Sequence, residues 1–259
     1  MFRTKLSLAF PGVFALVLGV GAIPAHADLI ISGTGTDSDG APLSATADFS
    51  LIGNCATGCT FQVIITNNNV AISQASVLTN LGFNAVPTPA PPPLPSASGS
   101  ATLPAGSSLV ALGALDSHTP GQEWAYLTGG AASSGFGVGT GSGNLCGTAG
   151  CGVMLDGSAF GLVGTGTNLN QDGLTSRTYI ENSIQIDILL PAGSTFTLSQ
   201  ITSVDFQYGT GPGEGDITCT PTTPGCSFGP PVDAPEPGTL ALLGSALAGL
   251  SLMRRRRRV

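Results

Sequence analysis

Between Leu43 and Leu51 the chain alternates without a break: Leu43, Ala45, Ala47, Phe49 and Leu51 fall on one side, Ser44, Thr46, Asp48 and Ser50 on the other. A period of two is the mark of a strand with one buried and one wet face, whereas an amphipathic helix would repeat its apolar positions every 3.6 residues. Phe61 to Thr66 follows as a second strand, and Asn67-Asn68-Asn69 supplies turn chemistry after it. Further strands are expected at Leu29 to Ser32, Leu81 to Val86, Ser108 to Leu112, Glu123 to Leu127, Ser158 to Val163, Ser183 to Leu190, Thr195 to Leu198 and Ile201 to Tyr208. No segment between residues 28 and 234 reads as an amphipathic helix. Many short strands separated by Gly-rich turns predict an all-β chain, an antiparallel β-sandwich of jelly-roll-like order.

Only 9% of residues are charged, against about 25% in an average protein, so the surface must be built from Ser, Thr, Asn and Gly. The few charges are distributed unevenly. Seven of the eight basic residues lie at the chain ends, as Arg3, Lys5 and Arg254 to Arg258, which leaves Arg177 alone against fourteen acids between residues 28 and 234, a formal charge of −13. Such a body excludes nucleic acid and anionic lipid as partners, because both need a basic surface.

The ends read as delivery signals. Arg3 and Lys5 precede an apolar stretch from Leu6 to Val20, and Ala25-His26-Ala27 is a small-x-small cleavage site, so residues 1–27 are expected to be a signal helix removed by signal peptidase to leave Asp28 first. At the other end Pro235-Glu236-Pro237 is followed by an uncharged apolar run from Gly238 to Met253 and then by Arg254, Arg255, Arg256, Arg257 and Arg258. As a helix, 238–253 would reach about 24 Å against about 30 Å of hydrocarbon, a marginal transmembrane anchor with a basic cytoplasmic stop. This order of parts resembles the PEP-CTERM sorting signal of exported bacterial proteins, a tail sometimes catalogued as an ice-binding-protein C-terminal domain. The resemblance implies an exosortase as partner, a membrane-embedded transpeptidase-like enzyme cutting near Pro-Glu-Pro. It also implies passage through an inner-membrane-tethered stage facing the periplasm, then the cell surface or exterior, in association with exopolysaccharide or biofilm. The expected layout is therefore signal peptide 1–27, sandwich body 28–209, Pro/Gly-rich stalk 210–234, and sorting signal 235–259 with its helix at 238–253 and basic tail at 254–258. Within the body, Pro87 to Pro95 is expected to be an extended polyproline loop and Gly129 to Gly152 a Gly/Ser-rich loop.

Six cysteines form three sequence-close pairs, Cys55 with Cys59, Cys146 with Cys151, and Cys219 with Cys226. Export favours disulfides, and three local bridges that pin turns without holding the sheets together are expected. Zinc bound by Cys55, Cys59, Cys146 and Cys151 is the alternative.

The body offers little chemistry. His118 is its one histidine, and Asp116-Ser117-His118 cannot form a hydrolase triad from three adjacent residues of one segment. Asp116 and Glu123 are the nearest approach to a paired-carboxylate arrangement. Neither Gly-Thr-Gly-Thr, at 33 to 36 or at 164 to 167, continues into a phosphate loop. A non-enzymatic protein without a resident cofactor is expected. Asn168, Asn170 and Asp172, followed by Gly173, match the opening half of a calcium loop, but Tyr179 stands where the closing acid belongs. Asp37-x-Asp39-Gly40 and Glu214-x-Asp216 are similar fragments, and ordinary turns use the same residues. Trp124 and Tyr126, two apart on an expected strand, could stack on sugar rings or pack in the core. The leading expectation is an exported surface or matrix protein, and the alternative is a calcium-assisted carbohydrate-binding module.

Overall fold

A computed structural model describes residues 27–37, 40–85, 99–128, 136–140, 159–170, 174–175, 177–209, 215–229 and 232–233. In chain order the strands are β1 (Ala27–Thr36), β2 (Pro42–Asn54), β3 (Gly58–Asn67), β4 (Leu78–Ala85), β5 (Gly99–Thr102), β6 (Ser108–Ala111), β7 (Trp124–Thr128) and β8 (Phe136–Thr140). They continue as β9 (Leu162–Val163), β10 (Thr178–Glu181), β11 (Ser183–Leu190), β12 (Ile201–Tyr208), β13 (Asp216–Cys219), β14 (Cys226–Phe228) and β15 (Val232–Asp233). One four-residue helix, α1 (Pro120–Glu123), precedes β7. The described chain is all-β, as expected.

Two sheets result. The first runs β14-β1-β2-β3-β11-β5, with β15 also paired to β1; the second runs β13-β12-β4-β9-β10-β6, with the β7–β8 hairpin attached through β8 to β4. Three consecutive strands, β1 to β3, lie side by side in one sheet, and β14 returns from the far end of the chain to flank β1, which is a Greek-key adjacency. Sheet one is thus a meander extended at both sides, and the jelly-roll order expected for it is not what the pairing shows.

The alternation in the sequence decides which side chains meet between the sheets. Leu43, Ala45, Ala47 and Phe49 of β2, Phe61, Val63 and Ile65 of β3, and Ile184, Ile186 and Ile188 of β11 are buried against Leu81 and Phe83 of β4, Val204, Phe206 and Tyr208 of β12 and Ile217 of β13. Phe49, Phe61 and Phe83 pack with ring centroids 5.8 to 6.0 Å apart, and Phe196 meets Phe61 edge-on at 5.1 Å. Each such ring contributes on the order of 2 kcal/mol of apolar transfer, and the cluster helps to bond the two layers. Ala71, Val77, Val163, Leu174 and Tyr179 form a separate small cluster.

The strand assignments depart from the sequence reading in four places. Residues 136–140, expected within a loop, are β8: Val138 turns into the core while Gly137 and Gly139 face Gly82 and Asn80 of β4, where a Cβ at Gly139 would stand 2.5 Å from Asn80 Oδ1. The strand expected at 195–198 does not form: 195–197 are irregular and lead into a 3-10 turn at Leu198–Gln200, and the strand expected at 158–163 shrinks to β9. The expected stalk supplies three strands to the body, β13 to the second sheet and β14 and β15 to the first.

Finally, the disulfides differ in role. Cys55–Cys59 closes the β2–β3 hairpin turn, as expected for a local bridge. Cys219–Cys226, although only seven apart in sequence, joins the end of β13 in one sheet to the start of β14 in the other. The expectation that every local bridge pins a turn fails here because the 220–225 turn carries the chain from sheet to sheet. Gly33 and Gly35 of β1 make room for this crossing: a Cβ on Gly33 would lie 2.6 Å from Cys219 Sγ and 2.7 Å from Ile217 Cγ2, and one on Gly35 3.0 Å from Ile217 Cγ1. The first Gly-Thr-Gly-Thr is therefore a strand with its glycines turned inward. In the second, Gly164 passes so close to the backbone of Asn69 that no side chain fits.

Cys146, Cys151, the 87–95 loop, the signal helix before residue 27 and the 238–253 segment lie outside the described residues. Among the described residues no helix is long and apolar enough to cross a membrane.

Candidate functional site: the corner where β1 begins and β15 ends

The start of β1 and the end of β15 are antiparallel neighbours. Asp28 pairs with Val232 and Ala27 with Asp233, while on the other side of β1 the same two residues pair with Ser50 and Leu51 of β2. The expected N-terminal cleavage site and the residues just before Pro235-Glu236-Pro237 thus share one corner of the first sheet. Next to β15, β14 holds the same strand through the rungs Ile31–Phe228, Ser32–Ser227 and Gly33–Cys226, and the Gly229 N–H donates to the Ile30 carbonyl at 2.8 Å.

The corner is acidic. Ser50 Oγ donates to Asp28 Oδ1 at 2.7 Å. Asp48, opposite Ile30 and diagonal to Asp28, has a carboxyl held above its ordinary pKa, first by burial and then by the charge of Asp28. One oxygen, Asp48 Oδ1, is buried without a hydrogen-bond partner. A like-charge pair with partial burial is a cost to the fold.

Elsewhere the structure gathers one cluster that the sequence offered only in pieces. His118 Nδ1 lies 2.9 Å from Asp116 Oδ1 and 3.1 Å from Glu123 Oε1, and Glu123 is buried. The His118 N–H also donates to Asp116 Oδ1, and Asp116 N–H to Thr178 Oγ1 on β10. Both carboxylates meet the same ring nitrogen, so the trio fastens the 112–119 loop to the start of β7. The close spacing Asp-x-His-x4-Glu was the only signal for it.

Other candidate residues are placed as follows. Trp124 is fully buried and donates its indole N–H to the Phe160 carbonyl at 2.9 Å, which is the core-packing reading and leaves no face for a sugar ring. Tyr126 sits two residues along the same strand. Asn168 Oδ1 accepts from the Asn170 N–H at 3.0 Å and from its side-chain amide at 3.2 Å, an Asx turn of the ordinary kind. Asp172 lies outside the described residues. Asp37 Oδ1 accepts the Ala41 N–H at 2.8 Å and closes the β1–β2 turn. Asp216 begins β13 on the outer face, where Asp205, 4% exposed, is its diagonal neighbour; both carboxyls are pushed up by burial, Asp216 also by the charge of Asp205, while the Thr218 hydroxyl opposes the shift at Asp205. Cys55 is bonded to Cys59, so neither offers a thiolate to zinc. Among the described residues no group of three or more His, Cys, Asp or Glu is arranged to hold a metal ion. An open cleft of about 380 Å³ lies on the outer face of the first sheet, lined by Thr60, Gly99, Ser100, Asp187 and Leu189.

Ala27 and Asp28 of β1 thus lie beside Val232 and Asp233 of β15. Residues 233–258 match the family of the PEP-CTERM protein-sorting motif. The chain therefore carries the signal of an exported protein presented to an exosortase. No curated protein and no solved structure matches the chain.

Proposed function

We propose that this is a non-enzymatic exported protein, cut after Ala27 by signal peptidase, held by the 238–253 segment at the inner membrane with its body in the periplasm, and then cut near Pro235-Glu236-Pro237 by an exosortase for release or attachment at the surface. The observation that carries the reading is the sorting motif at 233–258, which begins on β15. Two observations support a structural or matrix role: the body's one histidine is engaged by Asp116 and Glu123, and the outer face of the first sheet carries a row of hydroxyls. One such row is Ser32, Thr46, Thr66 and Ser183, with Ser32–Thr46 and Thr66–Ser183 hydrogen bonds at 3.1 Å. A surface of that kind suits a hydrated exopolysaccharide matrix. The carbohydrate-binding alternative loses its aromatic platform at Trp124.

Replacing Pro235, Glu236 and Pro237 together by alanine tests the proposal. A full-length C-terminus should accumulate in the membrane fraction of the producing cell; normal trimming of that variant would end the exosortase reading.

A further inference from the structure

The cleft on the outer face of the first sheet follows from the same alternation that builds the core. On β3 and β11 the inward side chains are Phe61, Val63, Ile186 and Ile188, so Thr60, Gln62, Gln185, Asp187 and Leu189 stand outward. The register sets Gln62 of β3 and Ser100 of β5 on either side of Asp187, and Thr60 beside Leu189. The open space over these residues is about 380 Å³, within the range of small-ligand sites.

At its base lies a carboxylate fixed by carboxamides. Asp187 Oδ1 accepts from Gln62 Nε2 at 2.8 Å and from Gln185 Nε2 at 3.2 Å, and Oδ2 accepts from Gln185 Nε2 at 3.0 Å. Two glutamines on two strands thus set its plane, while a carboxylate offers about four acceptor positions in all. Among the described residues no cation pairs with Asp187, and the hydroxyls of Thr60 and Ser100 have no hydrogen-bond partner. Leu189, 56% exposed, stands two residues further along β11 and gives the cleft an apolar wall. An exposed leucine alone is ordinary; this one borders a fixed carboxylate and two free hydroxyls.

The combination selects the chemistry of a ligand. An unpaired carboxylate on a body of formal charge −13 repels anions. A calcium ion needs six or more oxygens, and among the described residues no group of three or more His, Cys, Asp or Glu is arranged to hold a metal. An uncharged saccharide unit complements both parts of the cleft: its adjacent hydroxyls donate to a carboxylate and exchange hydrogen bonds with other hydroxyls, and its C–H face packs on an aliphatic side chain.

We propose that this cleft binds a neutral saccharide unit without metal, Asp187 accepting from ring hydroxyls, Thr60 and Ser100 bonding their neighbours, and Leu189 covering the C–H face. The inference rests on the matrix role proposed above and gives it a ligand class. It does not depend on how the chain is sorted, and it takes its apolar contact from Leu189 because Trp124 is buried in the core.

The test titrates the mature protein recovered from its producing cell with cellohexaose, laminarihexaose, maltohexaose, mannohexaose and chitohexaose, in the presence of EDTA, by calorimetry and ligand-observed NMR. At least one of these neutral probes should bind. Asp187→Asn keeps the shape of the side chain but removes the charged acceptor, and should weaken binding about tenfold or more. Leu189→Ala, at an exposed position that the core does not use, should weaken it roughly threefold. Thermal melts establish that each variant is folded. Binding of none of the probes, binding that EDTA abolishes, equal affinity for an anionic alginate hexasaccharide, or wild-type binding by both variants would overturn the site. Fractionation of the producing cells' matrix separates this from the broader reading. Wild type retained with the polysaccharide and Asp187→Asn released supports both; equal retention of the two overturns the cleft and leaves the matrix role; retention of neither ends the matrix role, and the titration then decides the cleft.

Discussion

Gly33→Ala probes the crossing between the sheets. The new methyl group would stand 2.6 Å from Cys219 Sγ and 2.7 Å from Ile217 Cγ2, where non-bonded carbon contacts ordinarily rest at about 3.5 to 4.0 Å. Each neighbour must retreat by about 1 Å. The sulfur is poorly able to do so, because it is bonded to Cys226 and Cys226 is paired with Gly33 itself. Overpacking of this kind costs about 1 to 3 kcal/mol, from which about 0.4 to 1 kcal/mol is recovered because alanine restricts the unfolded chain. The net loss is on the order of 0.6 to 2 kcal/mol, and for a body of this size a Tm lowered by roughly 1 to 8 °C. Gly35→Ala is the internal comparison: its nearest neighbour is Ile217 Cγ1 at 3.0 Å, a methylene of a side chain that can turn, so its Tm should stay within about 2 °C of wild type. Ile217→Ala in the Gly33→Ala background should show less than additive loss, since it removes one of the two clashes. Thermal unfolding by circular dichroism or calorimetry under non-reducing conditions reads all five proteins, wild type and the Ile217→Ala single variant included. A Gly33→Ala protein that melts at or above the wild-type temperature would refute the close sheet crossing.

Replacing Cys219 and Cys226 by serine should cost about 2.5 kcal/mol by loop-closure entropy, and should cost more than the corresponding change at Cys55 and Cys59, because only the former joins two sheets; equal melting temperatures for the two variants would contradict that assignment. The Asp205 carboxyl titrates above its unfolded value because of burial, so the folded state holds its proton over a window in which the unfolded state has lost it, and stability falls as pH rises from about 4 through the folded pKa. Asp205→Asn should therefore flatten that fall and raise Tm at pH 7 while leaving it nearly unchanged at pH 3, and an Asn variant less stable at pH 7 would reverse the sign. His118→Ala removes a shared partner of Asp116 and of the buried Glu123, and should destabilise by about 1 to 3 kcal/mol, with faster hydrogen exchange at 112–119; unaltered exchange there would show that the trio does not fasten the loop.

What the sequence made legible follows the strength of its alternation. β11 and β12 were readable at their observed limits, because Ser183 to Leu190 and Ile201 to Tyr208 carry β-branched and aromatic residues at every second inward position. β8 was hidden because its outward positions are Gly137 and Gly139, chosen by close contact with Asn80 and Gly82 and indistinguishable in composition from a loop. β13 to β15 were hidden for another reason. Their Pro, Thr and Cys content reads as a stalk, and the strands exist because β1 and β12 each have an open edge for them. The same long-range pairing kept the site's geometry out of reach. Ala27 and Pro235-Glu236-Pro237 were visible as separate signals, but the pairing of Ala27 with Asp233 is a contact between residues some two hundred apart. His118, Asp116 and Glu123 were each noticed, and only the turn through α1 brings Glu123 back onto the imidazole.

The most direct test of the central claim is the intact mass of the protein recovered from cells that process it, measured before and after reduction. A mass that begins at Asp28, lacks the arginine run at 254–258 and gains at least four hydrogens on reduction, two for each of Cys55–Cys59 and Cys219–Cys226, is the result expected of an exported, doubly processed body. A mature mass that still contains Arg254 to Arg258 would contradict it.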